Sequence, residues 1–172
     1  MITLYHGSTC PIIHPLAHVG RSDLDFGKGF YMTSLHSQAK RWATRMQLIH
    51  AAHEAWLNQY EFDDEFVFPN SAFHCLRFEA YNRQWLEFIV ASRNGEEPWR
   101  EYDVIEGGVA NDRVIDTVED YINGTITIQQ ALGQLTFNKP NHQICLLNQE
   151  VIDKHLYYVD SILLNTNASI SL

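Results

Sequence analysis

Hydrophobic and polar positions change period along the chain and predict a mixture of strands and helices. Short apolar or alternating runs predict strands at residues 2–6, 30–33, 72–78, 102–105, 143–147 and 156–164. Apolar residues at helical spacing predict helices at residues 34–60, 82–94, 113–121 and 127–135. Mixed polarity with proline predicts loops at 10–25 and 61–68. Because the strands and helices follow no regular βαβ order, we expect an α+β fold.

Side chains that cap helices mark three of these boundaries. Ser34 or Ser37 can cap the long helix predicted from residue 34, and Asn82 can cap the next one. Thr127 and Gln130 have the spacing of a capping box, which predicts a helix that runs to about residue 135.

Length and charge narrow the class of protein. The chain has 172 residues, which predicts one domain over 1–164 with a frayed tail over 165–172. A net charge of -9 disfavours nucleic-acid binding through the overall field, although a local basic rim around Lys28 and Lys40 stays open. The chain has no polybasic cluster and no apolar run of membrane-spanning length, so we expect no membrane contact.

The cysteines and the start of the chain predict a cytoplasmic protein. Three scattered cysteines without a CxxC pair indicate neither a disulfide framework nor a zinc site. The first residues contain neither a basic region nor an apolar signal-peptide core.

Three short segments are the candidates for chemistry. In the first, His6 ends a predicted strand and Gly7 lets a ligand approach the backbone. In the second, residues 25–33, Tyr31 is suited to stacking on a flat heterocycle, whereas the spacing of a phosphate-binding P-loop is absent. In the third, residues 141–147, polar side chains precede an apolar strand. Each segment also fits a plain structural role as a strand end or a turn.

Taken in order, these segments resemble the ADP-ribosyltransferase superfamily. The shared features are His6-Gly7-Ser8, the run from Asp25 to Tyr31, and the late strand that opens with Gln143. A bacterial family of that superfamily also shares the Gln38-Ala39 pair and a Gly-Val-Ala-Asn-Asp-Arg segment at residues 108–113. The similarity covers residues 2–163, which is nearly the whole chain.

The resemblance implies two small sheets around a cleft that binds NAD, with helices at the flanks and no metal. The branch that includes diphtheria toxin and poly(ADP-ribose) polymerase uses a His, a Tyr and a Glu. By that resemblance His6 bonds a ribose hydroxyl, Gly7 offers backbone groups to nicotinamide and Tyr31 stacks on its ring. Further cofactor contacts are expected, also by resemblance, from Ser8, Phe26, Gly29 and Asn111.

Position 143 departs from the branch because Gln143 stands where the catalytic Glu is expected. Glutamine can bond the ribose 2'-hydroxyl but carries no charge and cannot act as a general base. Another carboxylate could enter the site, and Asp112, Glu106 and Asp103 are the candidates. Asn111 or Asp112 equally fits a cap on the helix at 113–121.

The function predicted from the resemblance is an NAD-dependent ADP-ribosyltransferase with an acceptor that is a protein, a nucleic acid or a small molecule. A toxin role is expected, and with it an antitoxin-type protein partner. The alternatives are a catalytically weak module that binds NAD or ADP-ribose, for which Gln143 argues, and an NAD glycohydrolase.

Overall fold

The computed structural model describes residues 1–110 and 112–164, which form seven strands, six α-helices and one 3-10 helix. The strands are β1 (Ile2–Ser8), β2 (Phe30–Met32), β3 (Trp56–Phe62), β4 (Cys75–Arg77), β5 (Val104–Gly107), β6 (Gln143–Leu146) and β7 (Leu156–Leu163). The α-helices are α1 (His36–Ile49), α2 (Asp64–Val67), α3 (Arg83–Arg93), α4 (Asp112–Ile122), α5 (Ile128–Leu135) and α6 (Gln149–His155). The 3-10 helix spans Pro98–Glu101. No helix within these ranges combines the length and the apolar character that a membrane crossing requires.

The strands form two small sheets. The first has the order β1-β3-β7 and is antiparallel throughout. The second has the order β2-β6-β5-β4, with β4 and β5 parallel and the other pairs antiparallel. A single antiparallel bridge between Tyr5 and Thr33 joins the two sheets. The predicted α+β class with two small sheets and helices is therefore confirmed.

Two clusters of buried side chains hold the sheets. One cluster joins the two sheets and α6, and includes Leu4, Phe30 and Ile144. The other covers the opposite face of the second sheet with α3, α4 and α5, and includes Trp85 and Cys145. Since neighbouring residues of a strand point to opposite faces, β6 contributes to both clusters.

Several predicted boundaries are confirmed. The Asn82 side chain accepts a hydrogen bond from the Trp85 amide at 3.0 Å and caps α3. Both bonds of the Thr127 and Gln130 capping box are present at the start of α5. The strands predicted near the carboxyl end correspond to β6 and β7. The predicted tail at 165–172 lies outside the described residues.

The helix predicted over residues 34–60 is confirmed as α1 up to Ile49 and is wrong beyond it. Helix α1 ends at Ile49, Ala51 takes a positive φ of 48°, and Trp56–Phe62 forms the central strand β3. Neither Ser34 nor Ser37 caps α1, whose N-cap is Leu35 without a side-chain bond. The alanines before residue 56 extend the helical pattern on paper, but pairing with β1 and β7 decides the conformation of the segment.

Three smaller differences separate the predicted elements from the observed ones. Strand β1 continues through Gly7 and Ser8 because Ser8 still pairs with Trp56. The loop predicted at 61–68 contains the end of β3 and helix α2. Helix α6 was not predicted, since its seven residues are too few for a helical period to emerge.

Candidate functional site

The junction between the two sheets is where the sequence-predicted residues converge. The Tyr5 amide donates to the Thr33 carbonyl at 2.8 Å, and the Thr33 amide donates to the Tyr5 carbonyl at 2.9 Å. One residue further along β1, the His6 ring replaces the backbone pairing, with Nδ1 2.7 Å from the Tyr31 carbonyl oxygen. The two sheets therefore separate at His6, and we call this opening the split.

The hydrogen bond of His6 fixes its tautomer. A carbonyl oxygen only accepts, so Nδ1 carries the proton and donates it to Tyr31. Burial lowers the pKa of His6, an effect that the bond to Tyr31 opposes only in part. The ring is therefore neutral near pH 7. Its Nε2 has a free lone pair and no hydrogen-bond partner in the described part of the chain.

Gly7 presents backbone groups to the same split. Alternate residues of a strand direct their amide and carbonyl groups to the same side, so those of Gly7 point the same way as those of Tyr5. Beyond the Tyr5 bridge, no hydrogen bond to these groups occurs among residues 1–110 and 112–164. A Cβ on Gly7 would lie 2.2 Å from the Ala39 carbonyl oxygen, so helix α1 requires glycine here.

Tyr31 is fixed by its own hydroxyl. The hydroxyl donates to the Gly27 carbonyl at 2.6 Å and accepts from the Phe26 amide at 3.1 Å. Its half-buried ring is parallel to that of Phe26 within 7°, with the ring centroids 6.5 Å apart. Burial raises the pKa of Tyr31 well above its ordinary value, so the phenol stays neutral. Tyr31 can offer a ring surface but no free hydroxyl.

Gln143 opens β6 beside this group. It pairs with Gly107, and continuing the register of β2 with β6 places it level with Thr33. It shares the face of Cys145, which pairs with Tyr31. The half-buried amide of Gln143 has no hydrogen-bond partner among the described residues. The amide can therefore donate and accept toward a ligand, without charge.

Ser8 and the loop before β2 use their polar groups inside the fold. The Ser8 hydroxyl donates to the Cys10 carbonyl at 2.5 Å and accepts from Asn58 at 2.8 Å. Phe26 is fully buried. A Cβ on Gly29 would lie 2.5 Å from the Cys145 sulfur. The structure thus places these three predicted cofactor contacts in packing roles, and their contact with a ligand stays a prediction.

Asp25 ties this loop to the segment at 108–110. Its carboxylate accepts from Arg93 at 2.7 Å and 2.9 Å and from the Ala110 amide at 2.9 Å. Asn141 accepts from the Val109 amide at 2.8 Å. Sequence reasoning assigned no role to Arg93 because its partner is 68 residues away and no local pattern marks the pair.

Two aromatic side chains also hold residues 108–110, and we call them, together with Asp25 and Arg93, the clamp. The Tyr81 hydroxyl donates to the Val109 carbonyl at 2.9 Å, and Trp85 Nε1 donates to the Gly108 carbonyl at 2.8 Å. Burial raises the pKa of Tyr81 to about 12. The segment that precedes α4 is therefore rigidly positioned. Asn111 lies outside the described residues, and Asp112 begins α4, so the roles predicted for them stay predictions.

The other candidate carboxylates are engaged elsewhere. Asp103 accepts from the His74 amide and from Asn148, both at 2.8 Å. Glu106 pairs with Ile144 and so lies on the face of the sheet opposite Gln143. Burial alone would raise the pKa of Glu106, but hydrogen bonds from His142 and Arg77 outweigh burial and lower it. Neither carboxylate replaces the missing charge at position 143.

Metal chemistry has no visible set of ligands in the part of the chain that the structure describes. No group of three or more His, Cys, Asp and Glu side chains is placed to hold an ion there. A cavity of about 620 Å³ lies apart from the split, near Lys28, Trp99 and Gln149.

The chain was compared with known proteins. It matches the family described as "Protein of unknown function (DUF3990)" over residues 2–158. No curated protein and no solved structure matches it. Because the match covers nearly the whole of both sheets, including the split, the chain belongs to the DUF3990 family.

Proposed function

We propose that the protein is an NAD-dependent ADP-ribosyltransferase, which releases nicotinamide and transfers ADP-ribose to an acceptor. The observation that carries the proposal is the split, where Gly7 and His6 keep polar groups without partners among the described residues and the His6 ring bonds to the Tyr31 carbonyl. Two sheets that diverge around a ligand cleft are also what the resemblance to the ADP-ribosyltransferase superfamily implies.

The free groups match the hydrogen-bonding pattern of the nicotinamide end of NAD. A carboxamide has one carbonyl acceptor and an NH2 donor, which are complementary to the amide and the carbonyl of Gly7. Neutral His6 can accept a hydrogen bond from a ribose hydroxyl at Nε2. The Tyr31 ring offers a stacking surface for the nicotinamide.

Gln143 determines how fast the reaction can be. When the glycosidic bond breaks, nicotinamide leaves with the bonding electrons and positive charge develops on the ribose. The amide of Gln143 can hold the 2'-hydroxyl, but it cannot neutralise that charge. By analogy with lost electrostatic donors in other enzymes, we expect turnover about 10²–10³-fold below that of a carboxylate at this position.

The test is nicotinamide release from NAD by the pure protein, with and without bacterial lysate. Release that requires lysate supports transfer, and free ADP-ribose without a labelled macromolecule indicates a glycohydrolase instead. Gln143→Ala should lower turnover more than NAD affinity, whereas Gln129→Ala, an exposed glutamine on α5, should change neither. Turnover unchanged in Gln143→Ala would remove Gln143 from the reaction.

A binding module for NAD or ADP-ribose is the second candidate function. The uncharged Gln143 favours it, since binding needs hydrogen bonds but no charge at the reacting carbon. NAD binding without nicotinamide release, in wild type and in Gln143→Glu, would establish this alternative. Gain of turnover in Gln143→Glu would instead show that the site has the geometry for catalysis.

The biological setting follows from the resemblance and is proposed with the function. Related bacterial domains act as toxins, so we infer cytoplasmic action and a neutralising protein partner. Growth arrest on expression, relieved by Gln143→Ala or His6→Ala, is the expected result. Arrest that persists in both variants would contradict a toxin role for this site.

A further inference from the structure

Ser34, His142 and Glu106 form a hydrogen-bonded chain where β2 and β5 end and β6 begins. The Ser34 hydroxyl oxygen lies 2.9 Å from His142 Nδ1. On the other side of the ring, His142 Nε2 lies 2.9 Å from Glu106 Oε1. The chain thus joins a hydroxyl, an imidazole and a carboxylate in that order.

The position of each proton follows from a fourth contact. The Ser34 backbone amide also reaches His142 Nδ1, at 3.1 Å, and an amide N–H can only donate. Nδ1 is therefore the acceptor, and Nε2 carries the proton that is donated to Glu106. The Ser34 hydroxyl consequently donates to Nδ1. This is the protonation pattern of a serine nucleophile beside its general base.

Glu106 is itself held in place. Arg77 Nε lies 2.5 Å from Glu106 Oε2, and the Glu106 side chain is only 15% exposed. Gln38 Nε2 donates to the His142 carbonyl at 3.2 Å and fixes the backbone on which the ring stands. The imidazole is thereby oriented from the carboxylate side and from the main chain.

The surroundings of Ser34 suit attack on a carbonyl group. Ser34 is exposed at the turn between β2 and α1. The amides of His36 and Ser37 in the first turn of α1 have no partner among the described residues, and that turn has no acidic residue. Free amides at the positive end of a 14-residue helix can stabilise a developing oxyanion.

This group is separate from the split. His142 directly precedes the first residue of β6, and its ring bonds to Glu106, which lies on the face of the second sheet opposite Gln143. Glu106 shares the face of its pairing partner Ile144, which belongs to the other core cluster from Tyr31. Chemistry at Ser34 therefore does not depend on NAD bound beside Gln143.

The geometry points to Ser34 as a nucleophile for acyl transfer, with His142 as its base, Glu106 as the positioning residue and small esters as substrates. The Ser34 oxygen bonds to the acyl carbon while its proton passes to His142. The ester C–O bond breaks, and the leaving alcohol takes that proton. Water then attacks the acyl-serine, releasing the acid and restoring the hydroxyl. The activity does not rest on the proposed NAD reaction.

The test is labelling by a fluorophosphonate probe, followed by peptide mapping of the wild-type protein. We expect the label on Ser34. It should be lost in Ser34→Ala and kept in Ser71→Ala, the control at an exposed serine in the turn before β4. His142→Ala should slow labelling by about 10²-fold or more, and added imidazole should restore it because the base is returned without altering the fold. Hydrolysis of p-nitrophenyl acetate should follow the same order.

A separate measurement tests the positioning role of Glu106. In Glu106→Gln the Nε2–H of His142 loses its charged acceptor, so the Nε2–H proton signal of His142 should move upfield while labelling slows. Wild-type protein that takes no label, or a label mapped to any residue other than Ser34, would overturn the inference. So would labelling of Ser34 that is unchanged in His142→Ala. Mapping on wild type keeps the test decisive even if a variant fails to fold.

Discussion

Residues of the same three motifs fall into two groups that differ in what their polar atoms do. Asp25, Ser8 and the hydroxyl of Tyr31 form their hydrogen bonds within the protein. Gly7 lies next to Ser8 on β1 and Gln143 opens β6, yet their polar groups have no partner among the described residues. The same motifs therefore contain both polar groups that hold the fold together and polar groups that have no partner among the described residues.

Strand geometry explains the division. Side chains alternate between faces, and backbone groups alternate between edges. Tyr5 uses its edge for the bridge to Thr33, so the next equivalent groups, those of Gly7, are the first ones beyond the junction. The split exists because His6 places a ring where a second bridge would otherwise form.

The largest effect is expected at Gly7, which has unpartnered backbone groups and also packs closely against α1. In Gly7→Ala the new Cβ meets backbone atoms of Ala39 and Ala43 at 2.2 and 2.6 Å. Because backbone cannot give way as a side chain can, we expect a loss of more than about 3 kcal/mol in the free energy of unfolding. Gly133→Ala, with nothing within 4 Å in α5, should stabilise by about 0.5–1 kcal/mol. Equal denaturation midpoints for the two variants would refute the close packing at Gly7.

A substitution at Asp25 tests only the group whose polar atoms form hydrogen bonds within the protein. Asp25→Ala leaves Arg93 and the Ala110 amide without their acceptor, and we expect a loss of about 2–3 kcal/mol in urea denaturation. The control is Glu87→Ala, which breaks an exposed pair with Arg83 and should cost about 0.3–0.5 kcal/mol. If both variants cost the same, Asp25 does not hold the segment at 108–110.

The two parts of the Tyr31 side chain have separate expected roles: the hydroxyl stabilises the fold, and the ring contributes to the proposed NAD binding. Tyr31→Phe removes the hydroxyl that bonds Gly27 and Phe26, and should destabilise by about 1–2 kcal/mol. Its ring remains, so NAD affinity should change little. Tyr157→Phe, which loses a bond to Lys154 from a more exposed ring, is the matched control. A strong loss of affinity in Tyr31→Phe without any loss of stability would reverse this assignment.

The smallest effect is expected in how the free energy of unfolding falls at acid pH, to which His6 contributes. Burial lowers the pKa of folded His6 below 6.5, so on acidification the unfolded chain takes up its proton first. Stability from this residue is complete above pH 6.5 and falls as the pH drops from 6.5 toward the lowered pKa. His6→Asn should flatten this part of the unfolding curve, whereas His53→Asn, on an exposed histidine, should not. Identical pH slopes in both variants would contradict a buried neutral His6.

Local signals in the sequence predicted much of the fold. Asn82 and the Thr127 box marked helix starts because a cap needs only residues that are close in sequence. Strand β3 was missed because alanines precede it and its conformation is set by β1 and β7, which lie far away in sequence. The helix predicted from 34 to 60 is wrong beyond Ile49 for that reason.

The candidate site divides in the same way. His6, Tyr31 and Gln143 were identified from short motifs, and the structure brings their strands together at one junction. The clamp made by Arg93, Tyr81 and Trp85 could not be predicted, since each contact joins residues more than 20 positions apart. The hydrogen-bonded chain from Ser34 through His142 to Glu106 was missed for the same reason, because Ser34 and His142 lie 108 residues apart.

The central claim is that the free backbone of Gly7 receives the nicotinamide end of NAD. The most direct measurement is the ¹⁵N–¹H shift of the Gly7 amide during NAD titration, with the amides of Gly95 and Gly133 as internal references. We predict that the Gly7 amide moves downfield and saturates with the bound fraction, while the two reference amides stay in place. A Gly7 amide that does not move while other signals report binding would place NAD elsewhere and contradict this account.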